Sequence, residues 1–178
     1  VSSAMSGVTN DLIKKSFEIS DSFADSEHDV LVSSGEQVAC SLIAGRLIHE
    51  GYESRSWLSW QIPILTKGKY KNSRINEINK RNIIKYLKKG GIPIVTGFQG
   101  LNDENRITTI GRGGSDATAI MIAKFFKAER CIIYTDVEGV YTTDPNKLKN
   151  AKKIKVISYE EMLEMASLGA KVMQPVSI

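Results

Sequence analysis

The chain has 178 residues, 42% of them hydrophobic, and a formal net charge of +4. That length and apolar content suit one domain with a real core, while the longest apolar runs, such as "IPIV" and "CIIY", are far too short for a membrane span or a secretory signal. The positive charge is local: residues 67–89 hold nine Lys or Arg against Glu77 alone, leaving a net charge of −4 elsewhere. Without a recognisable binding module, this segment reads as a solvated face, so neither a nucleic-acid partner nor a membrane is expected.

In chain order, residues 11–20 and 36–49 are expected to be helical, the second with Val38, Leu42, Ile43 and Leu47 on one side. Within 67–89, Ile75, Ile78, Ile83 and Leu87 recur at nearly helical spacing and predict a lysine-rich helix with one apolar stripe. "IPIVTGF" (92–98) and "CIIYT" (131–135) are short and β-branched, which predicts fully buried strands. From Ala117 to Phe126 the chain is apolar almost all round, predicting a buried helix capped by Ser115 or Asp116. Residues 158–168, "SYEEMLEMASL", carry a capping box, Ser158 and Glu161, with Gly169 as the stop. This alternation predicts an α/β domain, a mainly parallel sheet covered by helices on both faces. Cys40 and Cys131 lie in apolar patterns and read as buried thiols of a reducing compartment, by default the cytoplasm. His28 and His49 lack metal-ligand spacing, so no histidine metal site is expected.

Two polar segments carry candidate chemistry. In "TTIGRGGSDATA" (108–119), Gly111, Gly113 and Gly114 free the backbone to approach a ligand, and the following helix begins with unpaired N–H groups. Arg112 adds a fork suited to a carboxylate, and Ser115 a hydroxyl. Such a loop is an anion cradle, or equally a tight turn with a solvated arginine. In "YTDVEGVYTTDPN" (134–146), Tyr141 can cover a base and the hydroxyls, Asp136 and Asp144 can hold ribose or phosphates, although "TDP" alone is an ordinary turn. The chain has no G-x-x-x-x-G-K-[ST], no strand-to-helix G-x-G-x-x-G and no protein-kinase signature.

Six segments in order, "SAMSGVTN" (3–10), "SSGEQVA" (33–39), "VTGFQG" (95–100), "TIGRGGSDATA" (109–119), "YTDVEGVYTTDP" (134–145) and "EEMLEMASLGAKVMQP" (160–175), resemble the kinase domain of the aspartokinases, in the amino acid kinase superfamily. The resemblance implies a three-layer αβα sandwich and transfer of the ATP γ-phosphoryl group to the side-chain carboxylate of L-aspartate, with Mg²⁺ on the phosphates. The product, 4-phospho-L-aspartate, leads to lysine, threonine and methionine. It implies that Arg112 holds the substrate α-carboxylate with Gly113, Gly114 and Ser115, that Glu36 pairs with the α-ammonium, and that Ser3 and Thr9 line the same pocket. Asp116 would stand near the reacting centre and orient a catalytic lysine. ATP would lie along Thr135, Asp136 and Tyr141, with Asp144, Asn146 and Lys171 near ribose or phosphates, and no side chain is assigned to a metal. The family pattern also has a first strand with K-x-G-G-T/S, an Arg where Asn146 stands, often a His where Gln174 stands, and C-terminal ACT domains. By that pattern residues 1–178 read as an N-terminally truncated kinase domain of an enzyme that is a homo-oligomer at full length. The alternative class is a catalytically inactive nucleotide-binding remnant.

Overall fold

Helices and strands alternate along the first part of the computed structural model, which describes residues 1–135, 139–143 and 148–167. The chain divides into two units, Val1–Cys131 and Ile132–Ile178. The first contains, in order, α1 (Val8–Ile19), α2 (Asp25–His49), β1 (Ser54–Trp57), β2 (Ile64–Lys69), β3 (Asn72–Ile78), α3 (Arg81–Leu87), β4 (Ile92–Val95), β5 (Gln99–Leu101), β6 (Ile107–Thr109) and α4 (Gly114–Phe126). Strands β1 and β4 run parallel, extended by a parallel bridge between Ser2 and Thr96. A second sheet has the order β3-β2-β5-β6, in which β2 and β5 are parallel and the β2–β3 and β5–β6 pairs antiparallel.

Helix α1 packs on α2, and α2 covers β1, β4 and β6. On the other side α3 meets β4, and α4 meets β3 and β5. There Trp57, Ile62, Ile64, Ile78, Ile83 and Val95 form the core, joined by Met121, Ile122, Phe125 and Phe126 of α4. The result is the expected αβα layering, in which burial of these side chains supplies most of the driving force.

Several local expectations are corrected. Residues 67–89 are a hairpin followed by the short α3, not one helix. The helical spacing of Ile75 and Ile78 has a different cause: β3 bulges, so that Ile64 faces Ile78 while Thr66 faces Ile75. The extra residue puts two positions three apart on one face. In α2 the buried stripe is small, including Gly35, Ala39, Cys40 and Ala44, whereas Val38, Leu42 and Ile43 are exposed. Close approach selected the stripe: a Cβ on Gly35 would stand 2.9 Å from the Ala4 Cβ. Residues 131–135 form no strand, with Ile132 60% and Tyr134 91% exposed. A β-branched run becomes a strand only where a neighbour supplies ladder partners, and none of the described strands pairs with it. Cys131 is accordingly exposed, whereas Cys40 is buried and its thiol, desolvated, is pushed up to about 11.

The second unit contains an antiparallel bridge between Tyr141 and Lys153 and α5 (Tyr159–Ser167). Its capping box is formed, the Ser158 N–H donating to Glu161 Oε2 at 2.9 Å and the Glu161 N–H to Ser158 Oγ at 3.2 Å. The expected stop, Gly169, lies outside the described residues.

One buried group joins three pieces of the first unit. Asp29, on α2, is fully buried. It accepts hydrogen bonds from the Lys71 N–H at 2.9 Å, the Thr109 N–H at 2.8 Å and the Thr109 hydroxyl at 2.9 Å. Asp29→Asn turns one acceptor oxygen into a donor facing donors, and should lower unfolding stability by about 2–4 kcal/mol. Urea unfolding of both proteins checks this, and an unchanged midpoint would show that the three contacts are not structural.

Candidate active site

The GRGG loop leaves β6 at Thr109, and its shape follows from its glycines. Gly111 and Gly113 have φ of 82° and 70°, values that a side chain makes costly. Gly113 is the N-cap of α4, and no side-chain cap bond forms. Ser115 and Asp116 therefore lie inside the first turn and are not the expected cap. Freed from that role, both line a pocket of about 510 Å³.

The β4–β5 connection reaches the same place. Phe98 adopts φ 68°, held there because its N–H donates to Thr118 Oγ1 at 3.1 Å while the Thr118 hydroxyl donates to the Gly114 carbonyl at 2.6 Å. The loop and helix are in close contact: a Cβ on Gly97 would stand 2.7 Å from Ser115 Oγ, and one on Gly114 2.7 Å from the Phe98 ring. The segment before α1 completes the wall with Ser3 and Ala4, and α1 adds Thr9.

Ser3, Thr9, Glu36, Arg112, Gly113, Gly114, Ser115 and Asp116, all singled out from sequence, line this one pocket. Thr135 and Tyr141 belong to the second unit, and Asp136, Asp144, Asn146 and Lys171 lie outside the described residues. The pocket also contains His28, Lys71 and Phe98, which sequence reasoning did not select. Phe98 lay within a quoted segment, and "YKN" would have been conspicuous had 67–89 been read as a hairpin. His28 carried no signal beyond its isolation.

The pocket's charges are unevenly satisfied. Glu36 Oε1 accepts the Ala4 N–H at 3.1 Å, whereas its Oε2 is buried without a partner among the described residues. Burial raises the Glu36 pKa above the usual carboxylate value, because desolvation penalises the charged form. Burial raises that of Asp116 as well. Arg112 is exposed and enters none of the ion pairs among the described residues. The pocket thus presents a free cationic fork and a carboxylate with one vacant oxygen, together suited to a ligand carrying both a carboxylate and an ammonium group.

The profile of the amino acid kinase family matches residues 1–178. The chain belongs to the amino acid kinase family. Among curated relatives in that family, the aspartokinase of Rickettsia conorii is 51% identical over 180 residues, covering 98% of this chain and 44% of its own. The aspartokinase of Geobacillus stearothermophilus is 49% identical over 175 residues, covering 98% and 43%. The structure matches that of E. coli aspartokinase III in complex with aspartate and ADP with a TM-score of 0.83 at 30% identity, over 96% of this chain and 39% of that one. Aspartate kinase from Synechocystis gives a TM-score of 0.81 at 39% identity, over 98% and 29%. The chain spans less than half the length of these relatives.

The half-satisfied Glu36 has a measurable consequence. Its pKa in the fold is raised, so its contribution to stability is most favourable when protonated and declines as pH rises through that pKa. Glu36→Gln should therefore raise the melting temperature at neutral pH, and the gain should vanish below the ordinary carboxylate range, about pH 4. Melting curves across this interval check the sign, and a gain independent of pH would place its cause elsewhere.

Proposed function

We propose that this chain is the kinase domain of an aspartate kinase, which transfers the γ-phosphoryl group of ATP to the side-chain carboxylate of L-aspartate. The observation that carries the reading is the single pocket joining the Arg112 fork to the vacant Glu36 oxygen. An α-amino acid presents the complementary pair of charges on one carbon. The aspartokinases at about half identity and the E. coli enzyme in complex with aspartate and ADP support this choice among amino acids.

In this reading Arg112 receives the α-carboxylate bidentately, helped by the GRGG backbone and Ser115. Glu36 receives the α-ammonium, and Ser3 and Thr9 bound the pocket. The side-chain carboxylate, ordinarily ionised above about pH 3.9, needs no general base. One of its oxygens forms a bond to the γ-phosphorus as the bond from that phosphorus to the β,γ-bridging oxygen breaks, giving 4-phospho-L-aspartate and ADP. Asp116, at the start of α4, stands near the reacting centre, where it would orient the lysine of the family pattern's K-x-G-G-T/S strand. Rate acceleration then comes from positioning and from charge placed around the transferred group.

The nucleotide belongs with Thr135, Asp136, Tyr141, Asp144, Asn146 and Lys171. Mg²⁺ enters on the nucleotide's own phosphate oxygens, where it neutralises charge. No cluster of three or more His, Cys, Asp or Glu able to hold a metal occurs among the described residues, and a phosphate-borne Mg²⁺ requires none. The enzyme of this reading is a cytoplasmic one of amino-acid biosynthesis, homo-oligomeric at full length; among the described residues no helix is long and apolar enough to cross a membrane.

Arg112→Lys keeps the charge and removes the fork. Calorimetry should show aspartate affinity reduced about tenfold or more, while the rise in melting temperature produced by Mg·ATP is unchanged. Equal losses for both ligands would refute this assignment of Arg112.

A further inference from the structure

Lys71 lines the pocket although it lies on the hairpin turn between β2 and β3, distant in sequence from every quoted motif. Its backbone is left-handed, φ 64°, a conformation that favours glycine over any residue with a Cβ. The turn is fixed by Asp29, which accepts the Lys71 N–H. It also abuts the loop that carries Arg112, since a Cβ on Gly111 would stand 3.2 Å from the Lys71 carbonyl oxygen. The ammonium is paired with Asp25 at 2.6 Å, and both side chains are about half exposed. A pair of that kind contributes little to stability and is readily exchanged.

Resting on the aspartate reading above, the charge balance of the pocket leaves one group unassigned. Aspartate brings two carboxylates and one ammonium. With Arg112 on the α-carboxylate and Glu36 on the ammonium, the side-chain carboxylate still needs a cation. Asp116 repels it, and His28 has its Nδ1 3.6 Å from the Asp29 carboxylate, a poor neighbour for a second anion. Lys71 is the remaining cation on the wall.

We propose that Lys71 is a specificity-determining residue: its ammonium leaves Asp25 for the side-chain carboxylate of the bound substrate and selects the dicarboxylic amino acid over its neutral amide. In transfer the same amine holds the nucleophilic carboxylate through one oxygen, leaving the other to attack phosphorus.

The test is calorimetric titration of the 178-residue chain with L-aspartate and with L-asparagine. Asparagine matches aspartate in shape and in its α-groups, so only the side-chain charge differs. The wild-type chain should bind aspartate about tenfold or more tightly than asparagine. Lys71→Met, of similar length and subject to the same backbone constraint, should bring the two affinities together mainly by weakening aspartate, and Lys71→Arg should restore the difference. Melting temperatures of both variants close to that of the wild type show that the turn is intact. If Lys71→Met retains the wild-type ratio, or weakens both ligands equally, the selective role is overturned while the aspartate reading stands. If the wild-type chain binds neither amino acid, the aspartate reading fails and the role of Lys71 with it.

Discussion

Asp29 has no exposed surface, yet both of its carboxylate oxygens are occupied by donors from chain segments far from its own helix. A buried carboxylate is tolerated only when its lone pairs are satisfied, so this group fixes where the hairpin turn and the end of β6 stand relative to α2. Those three pieces deliver Lys71, the GRGG loop and Glu36. A displacement of the carboxylate would move Lys71, the GRGG loop and Glu36, which line one pocket, relative to one another.

Around that anchor the pocket is held by absence of bulk. Gly97 and Gly114 allow the β4–β5 connection to lie directly on the first turn of α4, and Thr118 bridges the two with one accepted and one donated hydrogen bond. Rigid backbone and incompletely paired side chains therefore coexist. Glu36 and Asp116, both raised by burial, lie in a wall whose main chain has little freedom to screen them. Burial biases both carboxyls toward the neutral form, a bias that a neighbouring positive charge would oppose.

The layered fold was legible because apolar helical stripes and short β-branched runs alternate along the chain, as in an α/β domain. The residues that line the pocket of the first unit were singled out through the six segments that resemble the aspartokinases, because the glycine cluster beside Arg112 is by itself equally an ordinary turn. The failures have identifiable physics. Ile75 and Ile78 imitate a helix because a bulge adds one residue to a strand. The apolar side of α2, Val38, Leu42 and Ile43, is not its buried side, because contact with the Ala4 segment demands small residues rather than large ones. Ser115 and Asp116 carry ideal capping chemistry, yet a left-handed glycine takes that position. Lys71 enters the pocket through a turn whose placement depends on a tertiary contact with Asp29, which no local pattern contains.

The frame and the recognition chemistry are carried by different kinds of position. Glycines at 97 and 114 admit no side chain without collision, so drift in sequence there is blocked by sterics. The hairpin tip is different: its backbone is fixed through the Lys71 N–H, which every residue but proline possesses, and its side chain makes only a half-exposed ion pair. The identity of residue 71 can therefore change while the fold persists. On the role proposed for Lys71, a change of this one turn residue alters the preference for the acceptor side chain while the surrounding frame persists.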